Sequence, residues 1–337
     1  MEKTELMQAG NAEKNKVEPY TRMSDGMRKV VEFQENQSGD AFETGGSWEE
    51  LREKYEKERL FWNEGGPIPY KIREHEVPGP CGKIRVRLYY PDAEEKHHAL
   101  VFIHGGGFTV GSNNTHDRIM RSLMEASGCV VIGVDYHLAP EVKFPIQLYE
   151  CAEVVKYFHE RGSEFGLFTE TIALSGDSGG ANLAMNTNLY LRDIEKGNSY
   201  ISALLLYYGS YGLEDSVSQR LHGTSLDGMR KCDLEYYMSC YFENVQEDRK
   251  SPYFASLNND LTYGIPPVYL CCGDLDPLLD DSTALYQILK NQGIYTELEI
   301  IPGCLHAYLH YGRMMEEAVY CIENSSRFLR KILEKGQ

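Results

Sequence analysis

In Thr171-Ile-Ala-Leu-Ser175-Gly176-Asp177-Ser178-Gly179-Gly180-Ala181 an apolar run meets a glycine-flanked serine. The apolar run reads as a strand and Ala181–Arg192 as a helix, with G-x-S-x-G at the join. A strand that turns sharply into a helix forces the central serine into a strained backbone and lifts its hydroxyl above the sheet. Glycines flank it because a side chain cannot be accommodated where strand and helix nearly touch. The helix start adds N–H groups and the positive end of a dipole, where developing negative charge is stabilised.

Working outward, the grammar from Ala99 onward is one of continuous apolar runs separated by helical stretches. The runs are Ala99–Ile103, Cys129–Val134, Thr171–Leu174, Ile201–Tyr208, Val268–Cys272 and Glu297–Ile301. The helical stretches are Thr115–Ala126, Gln147–Glu160, Ala181–Arg192, Ser282–Asn291 and Glu317–Leu333. Strands without alternation are buried on both faces, and their interleaving with helices predicts a mainly parallel α/β sheet built from right-handed crossovers. Ahead of this core, Ile84, Val86, Leu88 and Tyr90 alternate with Lys83, Arg85 and Arg87, the pattern of a half-buried strand. Trp48, Leu51, Tyr55 and Leu60–Trp62 recur at near-helical spacing, predicting an amphipathic helix over Trp48–Trp62. Residues 1 to about 45 are polar, end on Gly45-Gly46 and carry no recognisable motif.

The stretch from Gly212 to about Ser251 breaks the alternation with polar turns and then the Tyr-rich run Asp233–Asn244. It is too long for an ordinary connection and is expected to hold its own helix and to cover a site. The predicted organisation is an N-terminal segment with cap helices over 1–70, a core over 71–211, a cap insert over 212–250 and the rest of the core over 251–337.

A serine hydroxyl is a weak nucleophile until a base takes its proton, and an attacked carbonyl oxygen needs donors waiting for it. His104-Gly105-Gly106-Gly107-Phe108 follows the strand ending at Ile103, and its glycines let N–H groups turn inward. Gly106, Gly107 and Gly179 are therefore the candidate oxyanion donors. In chain order an acid and then a histidine should follow the serine. Asp274, Asp276, Asp280 and Asp281 compete after the Val268–Cys272 strand. Asp280 and Asp281 have a ready capping role for the next helix, and Asp274 stands close to the strand end. Asp276, followed by Pro277, is the candidate acid. His306, in the loop after the last strand, is the candidate base, and His310 is expected to be a surface or packed histidine. No third ligand accompanies the two histidines, so no metal is predicted, and the chemistry requires no cofactor.

Taken together, His104-Gly-Gly-Gly107, Gly176-Asp-Ser-Gly-Gly180, Asp276-Pro-Leu278 and His306 resemble the hormone-sensitive-lipase-like family of α/β-hydrolases. Asp135-Tyr-His-Leu-Ala-Pro-Glu141 is similar to a segment of that family, with His137 where arginine is usual, and Gly179 stands where alanine is more common. Within the family the chain is most similar to bacterial acetyl esterases, through Thr115-His-Asp-Arg-Ile-Met-Arg121, Tyr208-Gly-Ser-Tyr-Gly212 and Leu305-His-Ala-Tyr-Leu-His-Tyr311. The resemblance runs from about Trp48 to the C-terminus. It implies an α/β-hydrolase fold with a helical cap and a serine carboxylesterase for short acyl groups, acetyl to butyryl, on small soluble alcohols such as sugars. Ser178 would be the nucleophile, His306 the base and Asp276 its orienting acid. Asp177, Asp135 and Glu141 read as structural. A longer-chain esterase, an amidase, or a small-molecule-binding protein on the same fold are the alternatives. In the cap, Tyr236, Tyr237, Tyr241 and Phe242 either narrow the acyl side or form the cap's own core.

Charge excludes other classes. Against 34 Lys+Arg stand 51 Asp+Glu, a net −17, whereas nucleic acid and anionic membranes call for a concentrated basic surface. The expected partner is a small-molecule ester, with neither nucleic acid nor membrane. Nine cysteines without regular spacing, no apolar run long enough to span a bilayer and no basic, apolar leader predict a reduced, cytoplasmic protein.

Overall fold

A computed structural model describes residues 15–36 and 47–335. Its centre is an eight-stranded sheet with strand order β1-β2-β4-β3-β5-β6-β7-β8. The strands are β1 (Lys71–Gly79), β2 (Gly82–Tyr90), β3 (His97–Ile103), β4 (Val130–Asp135), β5 (Leu167–Asp177), β6 (Ile201–Tyr207), β7 (Val268–Gly273) and β8 (Thr296–Ile301). β1 and β2 form an antiparallel hairpin and β2 pairs antiparallel with β4, while every pair from β4 to β8 is parallel. This is the mainly parallel α/β sheet expected of an α/β-hydrolase fold.

The apolar runs lack alternation because both sheet faces are covered. On β3, Ala99, Val101 and Ile103 join one buried cluster while Leu100 and Phe102 join the other. The first cluster takes in α4 (Ile146–Arg161), α5 (Gly179–Asp193) and α9 (Leu279–Asn291). The second takes in α1 (Asp25–Asn36), α2 (Trp48–Asn63), α3 (Asp117–Ser127) and α10 (Glu316–Lys335). The segment between β6 and β7 holds α6 (Val217–Leu221), α7 (Lys231–Tyr241) and α8 (Val245–Asp248). Among the described residues no helix is long and apolar enough to cross a membrane.

Three features differ from the sequence reading. The motif-free N-terminal stretch contains α1, which buries Met27, Val30 and Val31 and stacks Phe33 on Phe61. Gly45-Gly46 lies outside the described residues. In α2, Tyr55 and Trp62 are buried but Leu60 is 67% exposed, and the helix instead buries Arg59 with its guanidinium 4.7 Å from the Tyr55 ring centre. The third difference is β1, an edge strand of charged residues in which only Val77 is buried. Lys83 pairs with Glu76, and Arg87 with Glu74, across the hairpin.

The join between β5 and α5 has almost no free space. A Cβ on Gly180 would fall on the carbonyl oxygens of Ile103 and His104, and one on Gly176 would fall on the Gly180 backbone. Those obstacles are backbone atoms that cannot rotate away. Gly180→Ala is therefore expected to destabilise the fold by about 3 kcal/mol, the upper range for overpacking a filled core, read as a lower urea midpoint at unchanged slope.

Candidate active site

All of the candidate side chains emerge at one edge of the sheet, from the carboxyl ends of four parallel strands. Gly105–Phe108 follow β3, Ser178 follows β5, Asp276 follows β7 and His306 follows β8. Ser178 sits at φ 53° and ψ −120°, a conformation that side chains avoid, held by its N–H to Tyr207 O at 2.9 Å and by Asn182 N–H to its own carbonyl at 3.1 Å. Strain of this kind is maintained by the packed strand and helix on either side of it.

The structure brings the serine, histidine and acid into one chain of contacts. His306 Nε2 lies 2.8 Å from Ser178 Oγ, and His306 Nδ1 lies 2.7 Å from Asp276 Oδ2. The other Asp276 oxygen accepts the Leu278 N–H at 2.8 Å, which fixes the carboxylate plane. Burial lowers the His306 pKa, but the charge of Asp276 and its hydrogen bond outweigh burial, and the net effect is a raised value. Such a histidine can take the serine proton and hold it as an imidazolium.

The competing acids have other work. Asp274 accepts the Gly303 N–H at 2.7 Å. Asp280 and Asp281 lie inside α9 rather than capping it: Asp280 accepts the Ser218 N–H at 2.8 Å, and Asp281 accepts the N–H groups of Tyr211, Gly212 and Leu213 at 2.6, 3.0 and 3.2 Å. They pin the segment after β6 to the core.

Gly106 at φ 109° and Gly107 at φ 58° turn the loop after β3 back on itself. Among the described residues no acceptor engages either N–H. Gly179 occupies the first position of α5, where helix N–H groups have no intrahelical acceptor. Asp177 ties this loop to the elbow, accepting the Gly105 N–H at 2.8 Å and lying 3.3 Å from His116 Nε2. Burial works against its charge, yet His116, the Gly105 N–H and His104 together outweigh burial and hold the carboxyl below its ordinary range. This is the structural role read for Asp177. Asp135 accepts the Asn113 N–H at 2.6 Å, and Glu141 pairs with Arg52 at 2.7 Å.

Several neighbours lie in motifs of the sequence, but their sequence context does not show what they touch. His104 and His116 are fully buried behind the nucleophile with ring centres 5.4 Å apart, and burial brings the His104 imidazole down to about 3. His310 is packed rather than exposed, its ring 4.5 Å from His116, and burial keeps it well below the usual histidine range. The ligand atoms of His116, Asp177 and His310 lie within 4.8 Å of one another. The Tyr208 ring stands 4.9 Å from that of His306. In the segment after β6, Asp227 accepts the Thr224 N–H at 2.8 Å, and burial pushes its carboxyl up to about 6 against the opposing charge of His306. The only sign of it in the sequence is an Asp-Gly turn.

The aromatic residues of the insert divide. Tyr241 stacks on Phe108 with ring centres 3.8 Å apart, and Phe242 packs edge-on against Phe254 at 4.7 Å, so both belong to the core. Tyr236 stacks on Trp48 at 5.9 Å. Tyr237 faces the site: its ring atoms lie 3.0 Å from where a Cβ on Gly107 would stand, and those of Phe108 lie 3.1 Å from a Cβ on Gly179.

The chain is similar to known hydrolases along most of its length. The α/β hydrolase fold family matches residues 100–310. An acetyl esterase of Salmonella paratyphi A is 43% identical over 317 residues, covering 93% of this chain and 96% of that protein, and one from Salmonella agona (strain SL483) is equally similar. Among solved structures, a hyperthermophilic esterase from Pyrobaculum calidifontis superposes with a TM-score of 0.85 at 28% identity, over 93% of this chain and 99% of that one. The thermostable carboxylesterase EstE1 does so with a TM-score of 0.79 at 27% identity, over 86% and 98%. A family match over residues 100–310 and 43% identity to an acetyl esterase over 93% of the chain place it together with these enzymes, and the chain belongs to the α/β-hydrolase family.

Proposed function

We propose that this carboxylic ester hydrolase cleaves short-chain esters, acetyl to butyryl, of small soluble alcohols, acetylated sugars among them, through an acyl-enzyme on Ser178. The contact chain from Ser178 Oγ through His306 to Asp276 Oδ2 carries the reading. His306 takes the Ser178 proton as the hydroxyl attacks the ester carbonyl, then gives it to the leaving alcohol. Asp276 holds Nδ1 protonated, so that Nε2 is the free base. The N–H groups of Gly106, Gly107 and Gly179 receive the oxyanion, each such donor contributing about 3 kcal/mol to the transition state. Water activated by the same imidazole releases the acid. No step calls for a metal or organic cofactor.

Acyl length rests on the rings over the glycine loop. Tyr237 and Phe108 lie against Gly107 and Gly179, and on this reading they narrow the space beside the oxyanion donors that an acyl chain would take. Residues 15–70 and 212–250 would act together as a cap: the Val17 N–H bonds Leu221 O at 2.9 Å, Lys16 reaches the carbonyls of Gln219 and His222, and Trp48 stacks on Tyr236. A reducing, cytoplasmic setting is consistent with nine free thiols.

The test is a series of aryl esters from acetyl to decanoyl beside a panel of acetylated sugars. The expected profile peaks at or below butyryl. Tyr237→Ala is expected to raise kcat/KM for hexanoyl and longer esters by about tenfold relative to acetyl, the scale of one or two methylenes admitted to a pocket. A wild-type optimum at octanoyl or beyond would overturn the short-chain reading.

A further inference from the structure

Away from the active site, the sulfurs of Cys271 and Cys321 lie 2.9 Å apart. Cys271 belongs to β7 and Cys321 to α10, fifty positions apart in sequence, and both are completely buried. The separation is far inside the ordinary contact distance of two sulfur atoms, and less than about 1 Å beyond a covalent S–S bond of 2.03–2.05 Å. Tyr308 closes the group, its hydroxyl 2.9 Å from the Cys271 sulfur and 3.3 Å from that of Cys321. The other buried cysteines make no such pair among the described residues: Cys129 contacts Ser127, and no sulfur contact joins Cys151, Cys240, Cys272 or Cys304 to a second cysteine.

We propose that Cys271 and Cys321 form a dithiol that a peroxide oxidises to a disulfide, joining the strand that leads to Asp276 to the C-terminal helix. The step balances in two parts. One thiol attacks an oxygen of the peroxide, the O–O bond breaks, the sulfur becomes a sulfenic acid and one water leaves. The second thiol then displaces the sulfenic oxygen as a second water, and the S–S bond forms. Two thiols are oxidised by two electrons and one hydrogen peroxide is reduced.

The position gives the bond its consequence. Tyr308 stands two residues beyond His306, and its ring lies 5.4 Å from Tyr208, which in turn packs 4.9 Å from His306. The cross-link would thus fasten together β7, α10 and the floor under the histidine loop. Burial raises the Cys321 thiol well above the usual range, so little thiolate forms and the oxidation is expected to be slow, taking a small, uncharged oxidant such as hydrogen peroxide in preference to a bulky disulfide. The oxidation is independent of ester hydrolysis, because it is read from the thiols themselves.

The experiment treats the full chain carrying Cys81→Ser and Cys232→Ser, which removes the two exposed thiols, with hydrogen peroxide. Remaining thiols are blocked with N-ethylmaleimide after unfolding, and the protein is digested without reduction. The expected result is one cross-linked peptide pair containing Cys271 and Cys321, a loss of two alkylatable thiols reversed by dithiothreitol, and a higher urea midpoint for the oxidised protein. In the same background, Cys321→Ser should lose the pair and the midpoint shift. Recovery of Cys271 and Cys321 as separate alkylated or sulfinic peptides from the oxidised, still folded parent would overturn the proposal. So would a cross-link to Cys304 or Cys272 instead.

Discussion

Ser178→Ala is expected to lower kcat on an acetyl aryl ester by about 10⁶-fold while leaving the fold intact. The magnitude is that of removing a serine nucleophile from a triad that acts as a unit. Loss of the Ser178 hydroxyl removes the attacking atom and leaves everything else in place. The backbone N–H at this position still bonds Tyr207 O, the carbonyl still starts α5, and Asp276 still holds His306. The unusual φ of 53° is as costly for alanine as for serine, so circular dichroism and the urea midpoint should stay near the wild type. Residual turnover of about 10³-fold over water would come from the glycine N–H groups and substrate binding alone.

Asp276→Asn is expected to cost about 10⁴-fold in kcat, through the tautomer of a single ring. The asparagine side chain can keep its oxygen on the Leu278 N–H, as Asp276 does at 2.8 Å, which turns its NH₂ toward His306 Nδ1. That nitrogen must then accept, the ring proton moves to Nε2, and Nε2 can no longer take the proton of Ser178. The same substitution tests the electrostatics. Neutral His306 is the active form, so kcat/KM rises with pH as His306 loses its proton. The Asp276 charge raises the His306 pKa above its ordinary 6.5, placing the wild-type acid limb above that value. Without that charge, burial is opposed only by the smaller contributions of Asp227 and Asp177, and the limb of the residual activity should move to lower pH. A limb that stayed in place would mean that a group other than His306 sets it.

How far the site is legible in the sequence depends on whether local sequence or tertiary contact determines each part. The elbow is legible because a buried strand, a glycine-serine turn and a helix follow one another without interruption, and the close approach of Gly176 and Gly180 to backbone leaves no alternative residue. The parallel strands are legible because both faces are buried, which writes an uninterrupted apolar run. β1 is not, because an edge strand needs only one buried side chain, Val77, and is otherwise held by backbone pairing and surface charges. α1 escapes notice because three buried residues in a polar run are too few to show a period. Among four nearby carboxylates, only the position before Pro277 marks Asp276 in the sequence. The structure separates it from Asp274 and Asp281 by what each accepts, namely a histidine, one loop N–H, or three. Asp227 illustrates the limit: its significance lies in what burial sets beside it, and no motif announces that.

Covalent labelling by an aryl alkylphosphonate tests most directly whether Ser178 is the nucleophile. Such an ester places a tetrahedral phosphorus where the carbonyl carbon would be attacked and leaves a stable adduct on the attacking oxygen. The expected result is one phosphonyl group per chain, found on the peptide containing Ser178, with activity falling in proportion to its occupancy. Activity lost while Ser178 remains unlabelled, or activity retained with Ser178 fully labelled, would contradict the assignment.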